Sequence, residues 1–221
     1  FDKELLPKAQ QVLLVLLDRQ DGREFKNDSD AVFVAINSPR GRCIEGLASL
    51  TLRSCRLAHK EQGSHIQAWN QYEGIYNSEL KRSQRGEYEF ATIVAMSLLN
   101  FNYMSSDWVR THLSDIFDQS DYQKWLCAMQ GYAYVSAIYE EFYKYLKTSG
   151  DFLKALDDGY LKEKVNERII QNIAVAYING FEDIKQSDSL MSILIERKKL
   201  DELSELIWFI WTLRKKDDVK L

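Results

Sequence analysis

Proline is the scarcest backbone-breaking residue in this chain of 221, with 2 copies, and glycine occurs only 10 times. A sandwich or barrel built from many short strands needs turn residues at close intervals, so that class is set aside and helices with short links are expected. Histidine and cysteine are also rare, at 3 copies each. His59, His65 and His112 stand at no metal-ligand spacing to one another or to a cysteine. Cys43, Cys55 and Cys127 form no C-x-x-C pair and fall inside helical patterns, so they read as reduced thiols. No zinc site and no cofactor is expected from such a set. The sequence also lacks a G-x-S-x-G elbow and a glycine-rich phosphate loop. Glu140–Glu141 and Asp157–Asp158 are adjacent carboxylates that project to different helix faces or sit in a loop, which suits solvated surface better than a catalytic dyad. Catalysis is therefore not expected of this chain.

Long hydrophobic runs are missing too. Runs such as VLLVLL at 12–17 are far too short to cross a bilayer. The opening residues are charged and no small-residue cleavage site follows, so no signal peptide is read and a cytoplasmic protein is expected. The chain opens on Phe1 rather than methionine, which suggests a piece of a longer protein. QQVLLVLL near one end and ELIWFIWTL at 205–213 are apolar around the whole helix. Such helices want neighbours on every side. Flanking sequence is expected to cover them, or the two pack deeply within this chain.

What is present is helical periodicity almost throughout. Apolar residues at three-and-four spacing predict helices over about 3–19, from Ser38–Pro39 onward, and over 65–82, 87–101, 107–117 and 121–147. Further helices are predicted at 151–156, 160–180, 188–199 and 201–215, with Ser106 and Asp151 as caps. AVFVAI at 31–36 reads as a helical turn or a strand. Helix pairs recur over 38–82, 87–117, 121–157 and 160–199. That spacing predicts an all-α fold, a HEAT-like solenoid of antiparallel helical hairpins forming one repeat domain over 1–221, with an irregular helical bundle as the rival.

Charge gives two further leads. The chain is −4 overall, yet residues 40–85 carry Arg40, Arg42, Arg53, Arg56, Lys60, Lys81, Arg82 and Arg85 against Glu45, Glu61, Glu73 and Glu79, a local +4. Trp69, Tyr72 and Tyr76 are interleaved, a pattern that superficially fits stacking on nucleic acid. These aromatics lie on the inward stripe of their own helix, however, which favours core packing and leaves a nucleic-acid-binding domain as the alternative function. INSPRGRCIEGLASL at 36–50 offers Ser38 as N-cap and Pro39 at the first helical position. Arg40 and Arg42 oppose the helix dipole there, with Glu45 near enough to offset part of the cost. The three read first as a structural clamp on a neighbouring carboxylate or carbonyl, and second as a partner contact. Tyr132, Tyr134, Tyr139 and Tyr143 encircle the predicted 121–147 helix too broadly for all to be buried, so Tyr134 and Tyr143 are candidate interface anchors.

AINSPRGRCIEGLASLTLR, and DWVRTHLSDIF followed by YQKWLCAMQGY, resemble the long helical regions of bacterial anti-phage defence proteins. These are the STAND-type ATPase sensors and large proteins with a sirtuin-like NADase domain. The matching residues include Trp108, Leu113, Phe117, Trp125, Gly131 and Tyr132, and the resemblance covers about 31–215. It implies a helical repeat region that recognises a phage protein and restrains or triggers an effector domain elsewhere in the chain, with oligomerisation through the full-length protein. The chain departs from that family in lacking any ATPase or NADase signature, so effector activity would lie in another domain.

Overall fold

The computed structural model describes residues 3–213, Lys162 excepted. The described residues form thirteen α-helices, one short 3-10 helix at Lys3–Leu5 and no strand. The fold is all-α. The chain divides into two compact units, Phe1–Val135 and Ser136–Leu221.

The first unit holds α1 (Leu6–Asp18), α2 (Ala31–Asn37), α3 (Pro39–Gln62), α4 (Ile66–Ser83), α5 (Glu89–Met96), α6 (Leu98–Met104), α7 (Ser106–Ile116) and α8 (Tyr122–Tyr132). AVFVAI is thus a helix, capped by Asp30, whose side chain accepts from the Phe33 amide at 2.9 Å. Ser38 caps α3 as its position predicts, accepting from the Gly41 amide at 2.8 Å. Ser105, not Ser106, caps α7. The helix predicted over 87–101 breaks at Ser97 into α5 and α6.

The unit is organised around α5. Phe90, Ala91, Ile93, Val94 and Ala95 are all completely buried, so this helix is apolar around its circumference and needs neighbours around its circumference. It has them in α2, α3, α4, α6, α7 and α8. In a solenoid each hairpin touches only the next. Contacts such as α2 with α5 and α8, or α3 with α5 and α6, skip along the chain, so this unit packs as a bundle around a central helix. The approach of α8 to α5 is unusually close. A methyl group on Gly131 would stand 2.3 Å from the Thr92 carbonyl oxygen, a distance no carbon tolerates.

The second unit holds α9 (Glu140–Thr148), α10 (Asp151–Asp157), α11 (Glu163–Ile178), α12 (Leu190–Arg197) and α13 (Leu200–Leu213). Here the helices pack sequentially, α9 on α10, α10 on α11, α11 on α12 and α12 on α13, with α13 also on α11. Gly150 at φ 80° precedes α10, and Asp151 is the first helical residue rather than the cap. The 121–147 helix is corrected to two, α8 and α9. After Tyr132 the chain tightens, with the Tyr134 amide donating to Gly131 and the Val135 amide to Tyr132, each at 3.0 Å, and residues 133–139 are not helical. No proline marks the break, and the apolar stripe keeps the same phase on both sides of it, so periodicity reads straight through.

If the α5–α8 contact sets the packing of the first unit, Gly131→Ala lowers its stability by about 1–3 kcal/mol, because backbone rather than a side-chain tip must move. Urea denaturation followed by circular dichroism checks this, and a change below about 0.5 kcal/mol contradicts it.

Candidate functional site

Arg40 lies in the first turn of α3 and is fully buried. Its guanidinium donates to Glu79 of α4, contacts Glu87 Oε2 in the α4–α5 link at 2.9 Å, and reaches the Gln20 carbonyl at 3.4 Å. Arg82 joins the same group, donating to Glu87 Oε2 at 3.0 Å and to the Gln20 carbonyl at 3.1 Å. Next to this group, buried Glu89 accepts from the Arg23 amide at 2.8 Å. Burial pushes the Glu79 carboxyl up, and the charges of Arg40 and Arg82 pull it back. Arg40 therefore ties the start of α3, the end of α4 and the 19–30 link into one ionic group. Two carboxylates offset what the α3 dipole costs it.

Arg42 and Glu45 do not belong to that group. They form a surface pair at 2.9 Å with Arg42 61% exposed, an i,i+3 contact worth at most about 1 kcal/mol. The expectation that all three residues fasten the array internally is corrected on this point: successive helix positions point apart, and only Arg40 points inward.

Tyr143 is corrected as an interface anchor. It is fully buried in α9, packs its ring at a tilt against Phe152 with centroids 5.1 Å apart, and donates to Glu182 Oε1 at 2.9 Å. Glu182 is a buried carboxylate surrounded by donors. Ser189 Oγ lies at 2.7 Å, the Met191 amide at 3.2 Å and Lys147 Nζ at 3.1 Å. Tyr134 is half-buried in the non-helical segment after α8. The two tyrosines are placed in different units, and neither is on a common helix with the other.

The basic stretch 40–85 divides similarly. Arg40, Arg42 and Arg82 are engaged in ion pairs, while Arg53, Arg56 and Lys60 line the exposed side of α3. Trp69, Tyr72 and Tyr76 are buried, with Trp69 and Tyr76 stacked at 5.5 Å, so they offer no platform to a base.

A groove with an almost wholly apolar lining lies between α1 and α3. It encloses about 560 Å³, with Leu5, Leu6, Val12 and Leu13 on one wall and Leu50 on the other. Gly46 lets α1 approach, since a methyl group there would touch the Leu13 side chain at 3.1 Å. Lys8 and Arg53 are the only charged residues among its described lining. α1 also keeps an exposed apolar face, with the groove residue Val12 58% exposed and Val15 and Leu16 also exposed. Among the described residues, no group of three or more His, Cys, Asp and Glu side chains could hold a metal ion, and no helix is long and apolar enough to cross a membrane. No family model matches the chain, and no curated protein or solved structure matches it.

Sequence reasoning missed Glu79, Glu182 and Lys124. A signal existed for Glu79, which sits three residues after Tyr76 on the inward stripe of α4. Lys124 is fully buried in α8, and its ammonium has no hydrogen-bond partner among the described residues. Burial drives its pKa down, against the pull of the Asp118, Asp115 and Asp121 carboxylates.

Two outcomes follow. Arg40→Ala costs about 3–5 kcal/mol in denaturant titrations, because Glu79 is left buried and uncompensated, whereas Arg42→Ala changes stability by less than about 0.5 kcal/mol. Equal effects at the two positions contradict the clamp. For Lys124 the folded state binds its proton less tightly than the unfolded state. Its contribution therefore makes stability rise with pH from the depressed folded pKa toward the ordinary lysine value. Lys124→Met raises stability at neutral pH by roughly 1 kcal/mol or more and flattens that rise. A variant no more stable than the parent at neutral pH removes this account.

Proposed function

We propose that this chain is a non-catalytic helical module for protein recognition, serving in a bacterial anti-phage defence protein. In this reading it senses a phage-encoded protein and controls an effector domain elsewhere in the chain. The α1–α3 groove carries the reading. Its walls are aliphatic, its charged rim is Lys8 and Arg53, and α1 shows an apolar face that water alone would otherwise cover. That combination suits an amphipathic helix of a protein partner, apolar on one face and acidic along its flank. The sequential packing of α9–α13 supports a HEAT-like arrangement for the second unit, and the bundle around α5 supplies a rigid support for the groove. Arg40, Glu79 and Glu182 are buried and engaged with one another or with donors, which supports a structural rather than a reactive use of these three. The resemblance of 31–215 to helical regions of defence proteins supplies the biological setting.

The test compares the parent with Val12→Glu in phage-infected cells, using crosslinking and mass spectrometry to place crosslinks on α1 and α3. A phage protein crosslinked through Lys8 and lost in Val12→Glu, with folding intact by circular dichroism, is the expected result. A crosslink pattern unchanged by Val12→Glu, or no phage protein at the groove, overturns the reading.

A further inference from the structure

We propose that the groove between α11 and α13 in the second unit docks a cationic amphipathic helix of a protein partner. This groove encloses about 650 Å³. Glu163 and Glu167 of α11 line it opposite Asp201, Glu202 and Glu205 of α13, and Lys199 is the only cation among its described lining residues. Glu202 and Lys199 are already engaged. Arg197 donates to Glu202 at 2.9 Å, and Lys199 to Asp157 at 2.9 Å. Glu205 accepts from the Gln171 side-chain Nε2 at 2.8 Å. No cation among the described residues pairs with Glu163, Glu167 or Asp201. Among the described residues, three carboxylates therefore line the groove without a paired cation.

The apolar half of the surface adjoins the acidic half along the same helix. Trp208 lines the groove and is 56% exposed, and Ile207, Ile210 and Trp211 extend the apolar surface over the last two turns of α13. Ile207 is 67% exposed. Tryptophans at the centre of a patch of this kind carry most of the energy of protein interfaces. A lysine or arginine over the Trp208 ring gains further from the ring's negative face.

Spacing fixes the form of the ligand. Glu163 and Glu167, and Asp201 and Glu205, are each four residues apart, so each wall repeats a carboxylate once per helical turn. Lysines or arginines at three-and-four spacing on a partner helix match that repeat. The partner's apolar face then covers Trp208 and its neighbours. At 14 residues, α13 offers a length of about 21 Å, enough for a partner of four turns. Charge decides against other occupants. Anionic lipid and nucleic acid are repelled by the carboxylates that line the groove, and a second α13 would bring carboxylate against carboxylate. The surface lies in a different unit from the α1–α3 groove and does not depend on it.

The probe is a synthetic 14-residue leucine–lysine peptide with lysines at three-and-four spacing, matched to α13 in length. Its binding is read by anisotropy of a labelled peptide and by tryptophan emission. The expected result is saturable binding with a blue shift, weakened by salt. Trp208→Ala and the pair Glu167→Lys/Asp201→Lys each lose at least about tenfold in affinity. Glu167→Gln/Asp201→Asn loses less than the charge reversal, and Val12→Glu on α1 loses nothing, which separates this surface from the α1–α3 groove. Circular dichroism confirms that each variant is folded. The proposal is overturned by any of four results: a scrambled peptide of the same composition binds equally well; the charge reversal has no effect; phosphatidylglycerol vesicles bind the chain with the same dependence on Trp208; or sedimentation shows a self-association that Trp208→Ala abolishes.

Discussion

A helix that is apolar around its whole circumference must be surrounded or must meet another molecule, and that constraint organises this chain. Among the described helices, α5 carries this pattern along nearly its whole length, and α1 and α13 carry it over part of theirs, VLLVLL at 12–17 and LIWFIW at 206–211. α5 is enclosed on all sides, and the first unit exists as a bundle because six helices are needed to enclose it. α1 and α13 are each covered on one side, by α3 in the first unit and by α11 and α12 in the second. Leu6 and Leu17 are the fully buried residues of α1, and Leu206 that of α13, while valine, isoleucine and tryptophan side chains remain in water. The two proposed recognition surfaces follow from that unequal coverage.

Charge serves the scaffold in the same way. Arg40 and Glu182 are buried and bonded to partners distant in sequence, so each pins a link to a helix that apolar packing alone would leave free to slide. Replacing such a pair with hydrocarbon can leave stability unchanged, whereas removing one partner is costly. Their contribution is therefore positional. Rigid positioning is also what a docking groove requires, since ordering a loose surface on binding subtracts from affinity.

Much of this was legible in the residues. Helix existence followed from three-and-four spacing, and Ser38–Pro39 marked the start of α3 to the residue. The dipole conflict at Arg40 pointed to a carboxylate partner before Glu79 was placed opposite it. What stayed hidden was non-local. Arg40 and Arg42 look alike on paper and differ because one side chain faces α4 and the other faces water. Tyr143 reads as a surface aromatic until Glu182, 39 residues on, supplies its acceptor. The break after Tyr132 and the bundle around α5 depend on which helices meet, and a periodicity shared by two helices cannot report where one ends. The carboxylates that line the groove between α11 and α13 were likewise invisible until the two helices lay side by side.

Amide hydrogen exchange on the folded chain tests the unequal coverage most directly. The account predicts slow exchange in α5, limited by global opening of the first unit, and much faster exchange in α1; within the second unit, α13 exchanges faster than α11. Protection of α1 equal to that of α5, together with protection of α13 equal to that of α11, would show that both apolar faces are already covered and would contradict it.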